Sequence, residues 1–273
     1  MPRSSWPRPS ERHRRQLVLK IAFLGQSCFL FAQRKWNILV DPYFSDSVAE
    51  KHGRMFRRLT PAPVIDQLPK PDAILITHHH LDHADPFTLR ELLRVWPEVS
   101  IFAPPKALSF MQRSGIRNLQ LVTGKPLQIH PGITVFPIPA AHPEIQKNPR
   151  NQHLFVGYGI TIGRHRIYHA GDTSLHPLVI QAARRYHPTH AILPINERNY
   201  YREKLGIIGN LTVREAFGFC DEIGARTLIP CHWDMFALNS TAPQEMLAVY
   251  RSIRPRPSFS LKILRPFQSL RLS

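Results

Sequence analysis

The segment from Ile76 to Pro86 reads ITHHHLDHADP, with four histidines and two aspartates inside eight positions. The useful pattern within it is His78-x-His80-x-Asp82-His83. Imidazole and carboxylate are the nitrogen and oxygen donors that suit zinc and its neighbouring divalent ions. Side chains two apart on an extended segment face the same way, so His78 and His80 are placed to grip one ion. The turn at Asp82-His83 reaches a second. His79 points oppositely and stays outside the ligand set.

Such a cluster needs rigid elements beneath it. It follows the apolar run Ala73-Ile74-Leu75-Ile76, which reads as a buried strand, and precedes DPFTLRELLRVW, a helix with Pro86 in its first turn. Upstream, LVLKIAFL, CFLFA and NILVDPYF read as an antiparallel meander. Downstream, SIFAP, LQLV and ITVFPIPAA are strands, and LFVGYGITI with HRIYHAGD forms a hairpin around Gly163-Arg164. LHPLVIQAARRY has helical spacing, HAILPI is a strand, TVREAFGFCDEIGA is an amphipathic helix capped by Thr212, and RTLIPCHW is the last strong strand. Strands giving way to strand–helix alternation predict sheets packed face to face with helices outside. His or Asp recurs just after strands at 76–83, 141–142, 171–172 and 231–232, so four loops are expected to converge on one sheet edge.

At 273 residues, with 43% hydrophobic content, the chain is long enough for a substantial core. No apolar run approaches the roughly 20 residues of a membrane span. Residues 1–16 are basic and proline-rich without the apolar centre of a secretory signal, and read as a flexible arm before a single domain over 17–273. Cys28, Cys220 and Cys231 form no disulfide pattern, which fits a cytoplasmic protein. Cys231, beside His232, reads as a buried small residue rather than a thiolate ligand. The 36 Lys+Arg against 19 Asp+Glu give +17, a charge that attracts nucleic acid, anionic lipid or a phosphorylated small molecule. Five arginines precede residue 16 and the rest are scattered, so charge alone selects no partner.

THHHLDH resembles the HxHxDH signature of metallo-β-lactamase fold hydrolases. AAHP with His142, HAGDT with Asp172 and IPCHWDMF with His232 match in the same order. The resemblance implies an α/β fold, a four-layer αβ/βα sandwich with metals at one edge of two mixed sheets. It implies one ion on His78, His80 and His142, a second on Asp82, His83 and His232, and Asp172 as the bridge. A carboxylate suits that place because its two oxygens can serve separate cations, and two metals roughly 3.5–4 Å apart activate water between them. With no thiolate in the set, zinc is the expected metal and manganese the alternative. Asp41, in LVDPYF, is expected to accept the remaining N–H of a ligand histidine.

The stretch from PINERNYYREKLGIIGNLT to CHWDMFALNS is similar to the branch that contains L-ascorbate 6-phosphate lactonase. That similarity implies a metal-bridging hydroxide attacking a sugar lactone, with Asp82 taking and returning the proton. Arg202, with Tyr200 and Tyr201, is expected to read a substrate phosphate or sugar hydroxyl, since a guanidinium binds phosphate bidentately. Asn210 belongs to the IGNLT helix start of that branch, and Asp234 is expected to orient a ligand or substrate hydroxyl. CHWDMFAL also resembles N-acylphosphatidylethanolamine-hydrolysing phospholipase D, so phosphodiester cleavage is the alternative. A nucleic-acid role has charge in its favour but no RNA-recognition signature.

Overall fold

The computed structural model describes residues 18–33 and 36–273; the basic arm expected over 1–16 lies outside them. The first sheet contains β1 (Leu19–Gly25), β2 (Cys28–Gln33), β3 (Trp36–Val40), β4 (Ala73–Leu75), β5 (Ser100–Ala103) and β6 (Leu119–Leu121), with β14 (Ser269–Leu272) beside β1. The second contains β7 (Leu127–His130), β8 (Ile133–Pro139), β9 (Val156–Ile162), β10 (His165–His169), β11 (His190–Pro194), β12 (Thr227–Cys231) and β13 (Ser260–Leu261).

Both sheets follow one plan. β1–β2–β3 is an antiparallel meander and β3 to β6 run parallel; β7 to β10 are antiparallel and β10 to β13 parallel. The expected hairpin forms, pairing Ile162 with His165 across Gly163-Arg164. Parallel strands need crossovers on the sheet faces, which buries them on both sides and explains their unbroken apolar runs.

Alternation along the strands builds the layers. Ile21, Phe23, Phe29, Phe31 and Val40 turn inward and pack with Tyr158, Ile160 and Ile167 of the facing sheet. Ala22, Leu24, Leu30, Leu39 and Ile74 turn outward onto Leu89, Leu92, Ala107 and Met111 of the helices Pro86–Val95 and Pro105–Arg113. The second sheet carries Pro177–Tyr186 and Val213–Glu222 on its outer side, through Val179, Ala183, Phe217 and Cys220. The order is helix, sheet, sheet, helix, as expected.

Local signals fix the helix starts. Asp85 accepts from the backbone N–H groups of Phe87 and Thr88, with Pro86 in the first turn. Thr212 and Glu215 form a reciprocal capping box. The helices Ser47–His52, Pro105–Arg113, Tyr200–Lys204 and Pro243–Ser252 were not anticipated; two are short and two start at proline without a side-chain cap. Among the described residues no helix is long and apolar enough to cross a membrane.

Candidate metal centre

Four strands end at one edge and hand over the site. His78 to His83 follow β4, His142 follows β8, Asp172 follows β10 and His232 follows β12. Backbone constraints aim these loops. Gly171 has φ 63°, and a Cβ there would lie 2.8 Å from Thr77 and 2.9 Å from the Val156 carbonyl, so only glycine lets the Asp172 turn approach β4. His232 itself sits at φ 60°, held by its N–H donating to the Gln26 carbonyl at 2.7 Å.

The side chains converge. Donor atoms of His78, His80 and His142 lie within 4.8 Å of one another, as do those of Asp82, His83 and His232, and those of His78, His83 and Asp172. Asp172 spans the two trios: Oδ1 is 3.3 Å from His83 Nε2, and Oδ2 is 3.6 Å from His142 Nε2 and 3.3 Å from His232 Nε2. His232 Nε2 is also 3.3 Å from Asp82 Oδ2, and His78 Nε2 is 3.0 Å from His80 Nδ1. His79 stays out of every trio.

This donor set fits divalent metals. His83 Nε2 and Asp172 Oδ1 are buried and face each other, yet neither has a hydrogen-bond partner of good geometry among the described residues. Buried polar atoms are normally satisfied, and leaving one unmade costs about 1–3 kcal/mol. Converging lone pairs without donors are what a cation requires. Nitrogen and oxygen donors without thiolate match zinc-type ions.

Electrostatics divide the cluster. Burial, reinforced by neighbouring imidazoles, lowers the pKa of His78 and brings that of His142 to about 4. Burial lowers His80 as well, against the pull of Asp82 and Asp172. Burial also opposes charge on His83 and His232, but there the carboxylates win: Asp172, Asp82 and Asp41 raise His83 well above its usual range, and Asp172 with Asp82 lifts His232 to about 9. Asp172 is held well below the carboxylate range by His232 and His83 despite burial.

Outer partners brace the ring. Asp41 is fully buried, accepts from His83 Nδ1 at 2.8 Å, and takes the backbone N–H and hydroxyl of Thr77 at 2.8 and 2.7 Å. Two residues were not anticipated. Gln26, in the β1–β2 turn, places Nε2 2.7 Å from Asp82 Oδ2 and 2.9 Å from His232 Nε2. Phe155 packs its ring 5.4 to 6.0 Å from those of His78, His79, His80 and His142. A Gln in a turn and a Phe before a strand carry no signal of this in the sequence.

The site opens on a cleft of about 690 Å³. Its floor holds His80, Asp82, His142, Asp172 and His232; Asp82 is the more open carboxylate, at 17% side-chain exposure against 5% for Asp172. The walls are Val48, Met55, Phe56, Phe110, Ile207 and Phe236, with Lys51 and His52 on one side.

The structure places the expected substrate contacts beside the cleft lining, in other surroundings. Arg202 is buried, and its guanidinium is spent on the carbonyls of Leu238, Asn196, Glu197 and Ser240, stapling two loops together. Asn210 is buried and donates to Asn196 Oδ1 at 2.9 Å. Asp234 accepts from the Gln26 N–H at 3.0 Å and the Thr60 hydroxyl at 3.2 Å, and burial pushes its pKa up to about 6. Tyr201 is exposed. None of the four lines the cleft.

Two mixed sheets face to face, helices outside and a histidine–aspartate cluster on one edge define the metallo-β-lactamase fold. A family model described as a beta-lactamase superfamily domain matches residues 36–233, and the chain belongs to that family. It is 28% identical over 242 residues to a metal-dependent hydrolase of Caldivirga maquilingensis, covering 86% of this chain and 91% of that one. It is 29% identical over 231 residues to the mitochondrial N-acyl-phosphatidylethanolamine-hydrolyzing phospholipase D of Saccharomyces cerevisiae, covering 80% of this chain but only 48% of the yeast protein. The solved structure of a metallo hydrolase from Ignicoccus hospitalis superposes with a TM-score of 0.71 at 20% identity, covering 94% of this chain and 99% of that one.

Proposed function

We propose that the chain is a dinuclear metal-dependent hydrolase that opens an ester-type bond, a lactone first, in a substrate with an apolar portion. The observation that carries this is the convergence of seven histidine and aspartate side chains, five of them on the floor of one apolar-walled cleft. The name of the Caldivirga relative supports the class of reaction. His78, His80 and His142 would hold one ion, Asp82, His83 and His232 the other, with Asp172 shared. Two such ions supply Lewis acidity, which polarises a carbonyl and acidifies water. Zinc fits the donors best and manganese next.

The chain's own residues do the rest. Asp82, the more open carboxylate, receives a proton from the attacking water and returns it to the leaving oxygen. Gln26 holds Asp82 Oδ2 in place, and Asp41 fixes the tautomer of His83. Phe155 and Phe236 exclude water from the floor. With Arg202 committed to carbonyls, Lys51 and His52 on the wall are the groups that favour an anionic substrate, a phosphorylated sugar lactone among them.

Phosphodiester cleavage is the second reading, supported by the apolar walls and the yeast relative. Metal-loaded protein should be assayed on alkyl lactones, a phosphorylated sugar lactone and an N-acylphosphatidylethanolamine. Fastest turnover of a lactone supports the first reading. Release of phosphatidic acid without lactone opening gives the case to the second, and no hydrolysis of any ester-type bond removes both.

A further inference from the structure

Large apolar side chains stand in solvent at the mouth of the cleft. Among the described residues thirteen such side chains are exposed, and six of them fall in two short stretches. Met55 and Leu59 belong to one lip; Tyr200, Tyr201, Leu205 and Ile208 belong to the other, with exposures between 41% and 75%. Met55, Leu205 and Ile208 line the cleft as well, so the two stretches, some 150 positions apart, both border one opening, with Leu59, Tyr200 and Tyr201 next to those lining residues along the chain. Scattered single apolar residues are ordinary on a surface; a concentration at a cleft mouth marks an interaction site.

The polar residues between them select the partner. Lys51, Arg54, Arg57 and Lys204 are exposed on the same two lips, against the carboxylates Glu50 and Glu203. Lys204 Nζ lies 5.3 Å over the Tyr200 ring, an aromatic–cation pairing that keeps both at an apolar–aqueous boundary. Tyrosine rings settle at headgroup depth, aliphatic side chains below them, and lysine and arginine against anionic headgroups. The chain as a whole carries +17.

We propose that the two lips form a docking surface for an anionic lipid bilayer, which seats the cleft mouth against the membrane. The lips dock through side chains, without a spanning helix, and the proposal holds whichever bond the metal centre cuts.

The test uses the full chain and sedimentation with two kinds of vesicle, phosphatidylcholine alone and phosphatidylcholine containing phosphatidylglycerol. Binding is expected to the second and not the first. Tyr200→Ser with Tyr201→Ser should weaken it by about ten-fold. Lys51→Glu with Arg54→Glu should weaken it by about thirty-fold or more. Arg90→Glu with Arg94→Glu, a remote charge reversal at two arginines of the helix Pro86–Val95 that line a separate hollow and not the cleft, should leave most of the binding intact. Thermal melting checks that each variant folds, and Leu59→Ser replaces the tyrosine pair if that pair does not. No binding to anionic vesicles overturns the proposal. So does binding that the lip variants retain, or that the remote reversal weakens equally, since either marks attraction by overall charge. A wild-type dimer that the tyrosine variant makes monomeric would also overturn it, assigning the lips to a second copy of the chain.

Discussion

The two halves of the centre share Asp172 and little else. His78, His80 and His142 are three imidazoles kept neutral by burial and, for His78 and His142, by one another. Asp82, His83 and His232 combine a carboxylate with two histidines whose pKa values the surrounding carboxylates raise against burial, that of His232 to about 9. Bracing differs too. His78 Nδ1 meets the Thr77 hydroxyl at 3.0 Å and its ring meets Phe155, whereas the second half rests on the buried carboxylate of Asp41 and the amide of Gln26. The neutral half offers ligands ready-made. The charged half must exchange protons for metal, and depends on outer partners to keep its geometry once they leave.

Removing Asp172 should produce the largest effect. Both halves reach it, through Oδ1 to His83 and Oδ2 to His142 and His232. Asp172→Ala should lose both ions together and reduce hydrolysis to that of chelator-treated protein. Elemental analysis per chain checks this. Two tightly held ions with normal rates would remove Asp172 from the shared position.

Single-half variants come next. His142→Ala should empty the first half and leave the second loaded, and His232→Ala should do the reverse. Each protein then carries one ion per chain, with rates well below wild type. If either variant loses both ions, the halves are one cooperative unit and the division between them fails.

Legibility followed the same geometry. His78 to His83 were readable because one strand end carries the whole pattern, and His142, Asp172 and His232 because their motifs recur in order after strands. The alternation of apolar runs was enough for the layers. What escaped was whatever depends on three-dimensional neighbours. An arginine beside two tyrosines looks like an anion clamp, since nothing in the sequence displays the four carbonyls that occupy Arg202. The partners of Asn210 and Asp234 were hidden for the same reason: Asn196 and the β1–β2 turn lie 14 and 208 positions away along the chain. Gln26 and Phe155 gain their places only when that turn meets the end of β12 and the start of β9 meets the histidine loop.

Asp41→Asn sharpens the contrast at smaller scale. The change keeps volume but turns an acceptor-only group into a mixed one facing His83 Nδ1 and two donors from Thr77. Loss of such an outer partner lowers metal affinity by about 10- to 100-fold. The loss should fall on the second half, read as one ion leaving early in a chelator titration. Equal weakening of both ions would show that Asp41 supports the fold and not one half.

The smallest effect should come from Gln26→Met. Gln26 reaches the second half by two routes: its backbone N–H and carbonyl tie the Asp234 and His232 loop, and its amide holds Asp82. Methionine keeps the length and leaves the backbone ties in place. Its φ of 56° is a cost glutamine already bears, so the substitution adds no new backbone strain. What disappears is one hydrogen bond to a carboxylate, worth about 1.5–3 kcal/mol when fully buried. Asp82 is partly open to solvent, so the lower end applies, an affinity loss of about ten-fold for the second ion. The first ion should be unaffected, and kcat should fall more than KM rises, because a loosened Asp82 moves the proton less well. An unchanged second-ion affinity would assign Gln26 to its backbone alone; a loss shared by both ions would erase the boundary between the halves.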